Sequence, residues 1–147
     1  MSILHALRVS ASGLTAQRVR MDVIANNVAN AETTRTADGG PYRRELVRFL
    51  PRGATPFSLV LDRFRGASGP AYDGVEVTAV FQDDTPPRLV YDPTHPDADA
   101  AGYVAYPNVN PVVEMVDLLA ATRAYQANVT VLNAAKQMAL KALEIGK

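Results

Sequence analysis

The amino-acid sequence predicts an α+β protein in which two long terminal helices pack as a coiled-coil-like pair and flank a small β-rich middle segment. All ten prolines lie between Pro41 and Pro111, so both ends lack the residue that most strongly breaks helices. Apolar residues recur three and four positions apart in both ends, which places them along one stripe of a helix. We therefore divide the chain into an N-terminal helix (residues 1–31), a middle segment (32–109) and a C-terminal helix (110–147).

The N-terminal helix is expected to begin at Ser2, which can cap it, and to end before the glycine-proline turn at residues 38–41. Gly13 lies inside it, where glycine costs about 1 kcal/mol relative to alanine. Either a neighbouring helix approaches closely at this position, or the position is exposed and tolerates a glycine. Asn26 and Asn27 near the helix end are similarly open to two interpretations, as donors and acceptors toward another element or as residues of a fraying end.

The middle segment is predicted to contain short strands separated by glycine, proline and aspartate. They cover residues 44–50, 57–61, 74–81, 88–91 and 102–106. The third has the clearest alternation: Val75, Val77, Ala79 and Phe81 share one face, and Glu76, Thr78 and Gln82 share the other. This strand is therefore expected to be buried on one face only.

The C-terminal helix is expected to begin at Asn110-Pro111, because asparagine is a favoured N-cap and proline is favoured at the first helical position. Apolar residues off both stripes, such as Val113 and Leu119, indicate that each helix needs more than one neighbour. The stripe residues that we expect to form helix-packing contacts between subunits are Leu4, Leu7, Leu14, Met21, Val28, Met115, Leu118, Tyr125, Val129, Leu132 and Leu143.

Composition excludes several classes of protein. The formal net charge is zero, which argues against a dedicated nucleic-acid binder. The chain has no cysteine, which excludes disulfides, zinc-thiolate sites and thiol nucleophiles. The sequence contains no run of about 18 apolar residues, so it predicts no membrane-spanning helix. Residues 1–14 lack the apolar core of a cleaved signal peptide, so we expect none.

Charge is unevenly distributed along the middle segment. Residues 31–65 contain seven arginines and four acids, whereas residues 66–110 contain one arginine and seven acids. Two explanations fit this distribution. Both parts are ordinary solvated faces, or the positive part (residues 31–65) contacts the negative part (residues 66–110). Arg43 and Arg44 follow a Gly-Gly-Pro turn and are expected to point outward.

One segment resembles a chemical site. Asp92, His95, Asp97 and Asp99 lie within eight residues and could ligate a cation. Zinc usually takes more nitrogen or sulfur ligands, and calcium takes about six to eight oxygens, so the segment supplies neither set. We interpret it as a rigid acidic turn, with a metal-dependent enzyme as the less favoured alternative. No catalytic residue, metal or cofactor is predicted, and we do not expect an enzyme.

Three blocks of sequence resemble bacterial flagellar axial proteins, which build the rod and hook. The residues that carry the resemblance are Asn26, Asn27 and Asn30 in the first block, Tyr91, Asp92, Pro93, His95, Pro96, Asn108 and Asn110 in the second, and Tyr125, Gln126 and Asn128 in the third. The short chain and the second block favour a proximal rod component. Another axial component of the rod or hook is the alternative.

The resemblance implies a structural role in the rod of the flagellar basal body. Members are exported unfolded through the flagellar type III apparatus without a cleaved signal, and they assemble in the periplasmic space. Their paired terminal helices form the inner layer of a helical tube that transmits torque. The implied partners are copies of the chain, other proximal and distal rod proteins, and the export-gate and MS-ring adaptor region. The resemblance implies no nucleic acid and no membrane span.

Overall fold

A computed structural model describes residues 3–37, 39–52, 61 and 73–145. Its elements in chain order are helix α1 (Ile3–Ala29), strands β1 (Glu45–Pro51), β2 (Val75–Gln82), β3 (Arg88–Tyr91) and β4 (Tyr103–Tyr106), and helix α2 (Pro111–Ile145). The α+β class is confirmed: two long helices flank a small middle segment with two two-stranded sheets. Helix α2 begins at the predicted proline. In the part of the chain that the structure describes, neither α1 nor α2 contains an apolar stretch of the length that a membrane span requires.

Four of the five predicted strands are present, with limits within one residue of those expected. The prediction for residues 57–61 lies outside the described residues except for Leu61, whose backbone is helical. The alternation along β2 is confirmed from Val75 to Ala79. It is wrong for Phe81, which is 38% exposed, because alternation indicates the face of a side chain but not whether another element covers it.

The sheets pair β1 with β2 and β3 with β4. The second pair is antiparallel, with Val90 opposite Val104 and Tyr91 opposite Tyr103. Val104 is completely buried, whereas Leu89, Tyr91 and Tyr103 are exposed. Two backbone hydrogen bonds flank the first pair: the Arg52 N–H donates to the Gly74 carbonyl, and the Asp83 N–H donates to the Arg44 carbonyl. The end of β1 therefore lies beside the start of β2, as in an antiparallel pair.

Contacts group the chain into two compact units. The first unit contains Met1–Val19, Arg48–Ala79 and Thr122–Lys147, and the second contains Arg20–Val47 and Val80–Ala121. Each long helix therefore contributes one part to each unit.

In the first unit, α1 holds the beginning of β2. Ser12 Oγ accepts a hydrogen bond from the Val75 N–H at 3.0 Å and donates to the Val9 carbonyl at 2.7 Å. A Cβ at Gly13 would lie 3.0 Å from the Asn128 carboxamide on α2. Of the two interpretations of Gly13, close approach of a neighbouring helix is therefore confirmed.

The buried apolar side chains of the described residues are mostly small. They are Ala16, Ile24, Ala31, Val104, Ala121 and Ala135. Large apolar side chains are instead exposed along α2, among them Val131, Met138, Leu140 and Leu143. Exposed apolar groups in such numbers are typical of surfaces that bind another protein.

Candidate functional site

A polar cluster is buried in the second unit, where the end of α1, the beginning of β1 and the first turn of α2 meet. We call Asn27, Tyr42, Arg44, Glu45 and Glu114 the polar cluster. The N-cap of α2 sets the position of Glu114 in this cluster. Asn110 Oδ1 accepts a hydrogen bond from the Val112 N–H at 3.0 Å, and the helix starts at Pro111. Glu114 then lies in the first turn, where the helix dipole favours a negative charge.

Asn27 satisfies the full hydrogen-bonding capacity of its carboxamide. Nδ2 donates to the Glu45 carbonyl at 2.9 Å and to Glu114 Oε2 at 3.2 Å. Oδ1 accepts from the Glu45 N–H and from the Tyr42 hydroxyl, both at 2.9 Å. The side chain thus binds the main chain of the first residue of β1 as a neighbouring strand would. The interpretation of this asparagine as a link between a helix and another element is confirmed.

Glu114 is a buried carboxylate paired with an arginine. Its side chain is 1% exposed, and its Oε1 lies 2.6 Å from both Nε and Nη2 of Arg44. Asp117, one turn further along α2, lies 3.7 Å from Arg44 Nη2 and 3.3 Å from Arg20 Nη2. The two carboxylates and two arginines therefore neutralise one another in a place where an unpaired charge would be costly.

Tyr42 provides a spectroscopic probe of the cluster. Burial, followed by the negative charges of Glu45 and Glu114, raises the pKa of its hydroxyl from 10.0 to about 12. The unfolded chain releases this proton first, so its contribution to stability is complete below pH 10 and is lost as the pH rises toward 12.

We expect Tyr42 of the folded chain to titrate near pH 12 in a measurement of phenolate absorbance. Tyr42→Phe should remove that step, together with the corresponding fall in the free energy of unfolding between pH 10 and 12. An unchanged titration curve in the Tyr42→Phe variant would contradict the assignment.

The acidic segment at residues 92–99 forms turns. Asp92 Oδ1 accepts from the Thr94 hydroxyl at 2.7 Å and from its N–H at 3.1 Å, and these bonds hold the pKa of Asp92 below its usual range. Asp99 Oδ1 accepts from the N–H groups of Ala101 and Tyr103. His95 Nδ1 accepts the N–H at position 97. No group of three or more His, Cys, Asp or Glu residues in the described part of the chain could hold a metal. The geometry therefore gives the metal-enzyme alternative no support.

The structure corrects the expectation for the two arginines after the glycine turn. Arg43 is exposed, but the expectation that Arg44 points outward is wrong, because its guanidinium pairs with Glu114 and its side chain is only 22% exposed. The arginine-rich part of the middle segment (residues 31–65) contacts its acidic part (residues 66–110) within the chain, because Arg35 Nη1 lies 3.7 Å from Asp97 Oδ1. Asp97 also accepts a hydrogen bond from the Thr34 hydroxyl at 2.8 Å.

The other motif residues have local roles. Asn26 donates to the Tyr42 hydroxyl at 3.2 Å, and Asn30 donates back to the Asn26 carbonyl at 3.0 Å. Asn108 Oδ1 accepts the Arg44 N–H at 3.0 Å. Asn128 donates to the Ala124 carbonyl where α2 approaches Gly13. The exposed members are Tyr91, Pro93, Pro96, Asn110 and Gln126, while His95 and Tyr125 are half-buried.

The predicted stripe residues divide by exposure. Leu4, Met115 and Leu143 are exposed, and Leu7, Leu14, Met21, Val28, Leu118, Tyr125, Val129 and Leu132 are half-buried. The first turns of α2 carry a broader surface than the stripe suggests. We call Val112, Val113, Met115, Val116 and Leu119 the α2 apolar face; all five side chains are exposed. At 100° per residue they span one side of the helix, opposite the buried Glu114 and Ala121.

Comparisons with known proteins identify the family. Residues 7–35 match a family model described as "Flagella basal body rod protein", and residues 100–145 match one described as "Flagellar basal body rod FlgEFG protein C-terminal". The flagellar basal-body rod protein FlgC of Bacillus subtilis (strain 168) is 53% identical over 151 residues, covering 100% of both chains. The chain belongs to the FlgC family of flagellar basal-body rod proteins.

Further FlgC relatives also match along the chain. That of Borreliella burgdorferi is 46% identical over 155 residues, covering 99% of this chain and 98% of the relative. That of Escherichia coli O157:H7 is 43% identical over 147 residues, covering 100% of both. The resemblance to flagellar axial proteins is confirmed, and this FlgC-family chain is a structural subunit of the flagellar basal-body rod.

The two matched ranges contain opposite sides of the polar cluster. Asn27 lies in the first range and Glu114 in the second. Sequence reasoning selected Asn27 as a motif residue but missed the cluster, because its charged members are 70 positions apart in the chain. An acid in a helix first turn is ordinary, and no local pattern indicates that this one is buried.

Proposed function

We propose that the chain is a subunit of the proximal rod, polymerising with copies of itself and with other rod proteins into the helical shaft that transmits motor torque. The observation that carries the proposal is the α2 apolar face. Val116 is 62% and Leu119 61% exposed in the single chain, and burying the part that is still exposed against another subunit is favourable by about 1–2 kcal/mol each. The further stripe residues are proposed to extend this packing along both helices.

The proposed task is mechanical and not catalytic. Close-packed side chains resist compression and shear, so helices that pack lengthwise between subunits can carry torsion. A helical polymer needs two unlike surfaces on each subunit, since a surface that binds itself closes into a dimer. The polar cluster supports this role by fixing how α1 and α2 align within the second unit. The α2 apolar face is then presented in one orientation.

The proposed setting is the periplasmic rod of the basal body. The chain would reach it through the flagellar type III apparatus without a cleaved signal peptide, and its partners would include the export-gate and MS-ring adaptor region. Residues 1–31 and 110–147 are proposed as the axial helices of the rod and residues 32–109 as the part between them. The resemblance to axial proteins supports each of these statements.

The test of polymerisation is a charge placed in the α2 apolar face. Leu119→Asp should reduce the yield of complete rods at least tenfold, because a carboxylate would have to enter an apolar contact without a partner. Leu119→Ala should cause a smaller loss. The free energy of unfolding of the free chain should change by less than about 0.5 kcal/mol, since the side chain is exposed there.

Asn133→Asp is the matched control, because it adds the same charge at an exposed polar position of α2. Rods are counted by electron microscopy of isolated basal bodies, and swimming is measured in the same cells. Normal rods in cells that carry only the Leu119→Asp chain would contradict the proposed function.

A further inference from the structure

The hairpin of β3 and β4, in the second unit, carries an exposed pair of aromatic side chains at one end. Tyr91 and Tyr103 lie opposite each other in the strand register, and their rings pack edge to face with centroids 5.3 Å apart. Both side chains are exposed, Tyr91 by 64%. A Cβ at Gly102 would lie 2.9 Å from Tyr91 Cε2, so the ring lies directly over the glycine backbone. The pair is therefore held in one orientation although it is exposed.

Two carboxylates flank this aromatic pair. Asp92 follows Tyr91 in the chain, and Asp99 Oδ1 accepts a hydrogen bond from the Tyr103 N–H at 2.8 Å. Neither carboxylate forms an ion pair with another described residue. We call Tyr91, Asp92, Asp99 and Tyr103 the aromatic-acidic patch. A surface that complements it has to be apolar and to carry a cation without a partner.

The last turns of α2, in the first unit, have this complementary chemistry. They carry a shallow groove with a volume of about 520 Å³, which we call the α2 groove; it is lined by Ala134, Gln137, Met138, Lys141 and Ala142. The small alanines leave room beside the exposed Met138, and a methionine sulfur makes favourable contacts with aromatic rings. Lys141 is exposed and forms no ion pair with another described residue. The groove therefore suits an aromatic side chain that has a carboxylate beside it.

The two surfaces belong to parts of the chain with opposite net charge. Residues 80–110 contain one arginine and five aspartates, whereas residues 122–145 contain one arginine, two lysines and one glutamate. One sequence thus carries both an acidic surface and a basic surface, although its formal net charge is zero. Opposite charges favour binding between these unlike faces of two identical chains, and like charges disfavour binding of either face to itself. This complementarity is the argument for a second copy as the partner.

We propose that the aromatic-acidic patch of one subunit binds the α2 groove of a second copy of this chain. The Tyr91 ring lies against Met138 and the two alanines of the groove, and Lys141 pairs with the Asp92 carboxylate. The proposal rests on the proposed function, because polymerisation supplies the second copy. The contact joins unlike faces, so each added subunit leaves a free patch at one end and a free groove at the other, as a growing helical polymer requires.

The experiment places a photo-crosslinking residue in the aromatic-acidic patch. Cells that build rods carry the full chain with Tyr91→p-benzoylphenylalanine, an aromatic replacement at an exposed position. Illumination should give a covalent dimer of this chain in which the patch is joined to a peptide within residues 131–145. Lys141→Glu in that background should lower the dimer yield about fivefold, because it replaces an attraction with a repulsion. Lys136→Glu is the matched control: it makes the same change on the same helix, about 140° around the axis from Lys141, and should change the yield less than about twofold.

A further variant tests the pairing of Lys141 with Asp92. Asp92→Asn removes the charge but keeps Oδ1, which accepts from the hydroxyl and the N–H of Thr94 and so preserves the turn. Alone it should lower the dimer yield. Combined with Lys141→Glu it should restore part of the yield that Lys141→Glu loses, because the repulsion between two acids is removed. A combined loss equal to the product of the two separate losses would overturn this pairing.

The outcomes separate this proposal from the proposed function. Complete rods without a covalent dimer, a dimer joined outside residues 131–145, or equal effects of Lys141→Glu and Lys136→Glu would overturn the contact between patch and groove alone. A product joined to a different rod protein would overturn the second copy as the partner. Complete rods in cells that lack the chain would contradict the proposed function itself. If the Tyr91 variant does not fold, the same crosslinking residue at Tyr103, the other ring of the pair, gives the same readings.

Discussion

Arg44→Met is expected to lower the free energy of unfolding of the free chain by about 3–5 kcal/mol. Methionine preserves most of the apolar stem but removes the cation from Glu114, whose carboxylate is 1% exposed. The carboxylate would keep the Asn27 hydrogen bond at 3.2 Å, which is too little to replace an ion pair at 2.6 Å. Urea unfolding followed by circular dichroism measures the loss.

Arg43→Met is the matched control, because it makes the same change at the adjacent residue, whose side chain is exposed. Its effect should stay within about 0.5 kcal/mol. Glu114→Gln should relieve part of the Arg44→Met defect, because it removes the charge left without a partner, and the double variant should be more stable than the two separate losses predict. Equal stability of the Arg43→Met and Arg44→Met variants would show that the pair contributes nothing measurable.

Sequence signals that act over a few residues were sufficient to predict most of the secondary structure. The Asn110-Pro111 pair specifies the start of α2 because capping and a fixed φ angle act within one turn. The alternation from Val75 to Ala79 specifies β2 because successive side chains of a strand point to opposite faces. Each of these determinants operates over a few residues, so a single sequence contains the necessary information.

The polar cluster depends on contacts that no local pattern contains. Asn27 binds residues that are 18 and 87 positions away, and Arg44 binds a carboxylate 70 positions away. The glycine turn before Arg44 predicts a change of chain direction but not which side chains lie nearby. For this reason the sequence identified Asn27 as a motif residue and placed Arg44 wrongly.

The apolar residues of α2 show a different limit. Val113 and Leu119 lie off the predicted stripe, and the expectation of more than one neighbour for each helix came from such residues. Both are exposed in the single chain. Periodicity indicates which residues share a face, whereas the partner of that face belongs to another molecule. The choice of partner surface therefore remains a proposal.

Gly74→Ala is expected to lower the free energy of unfolding by about 3–5 kcal/mol through two additive causes. Gly74 has a φ of +105°, a conformation that residues with a side chain adopt only with strain. A Cβ there would also overlap Ser12 Oγ and lie 3.0 Å from Ser12 Cβ. Ser12 would have to move, and its hydrogen bond with the Val75 N–H would be lost. The beginning of β2 would then separate from α1.

Gly39→Ala measures the first cause, backbone strain, without the second. Gly39 has a φ of +83°, but a Cβ there would meet nothing within 4 Å, so its replacement should cost only the backbone strain of about 1–2 kcal/mol. In a Ser12→Ala background the additional cost of Gly74→Ala should shrink, because the oxygen nearest to the new methyl group is gone. Urea unfolding of the four variants and the unsubstituted chain gives all the differences. If Gly74→Ala and Gly39→Ala cost the same, strain alone explains the glycine, and the contact between Ser12 and β2 does not hold the first unit together.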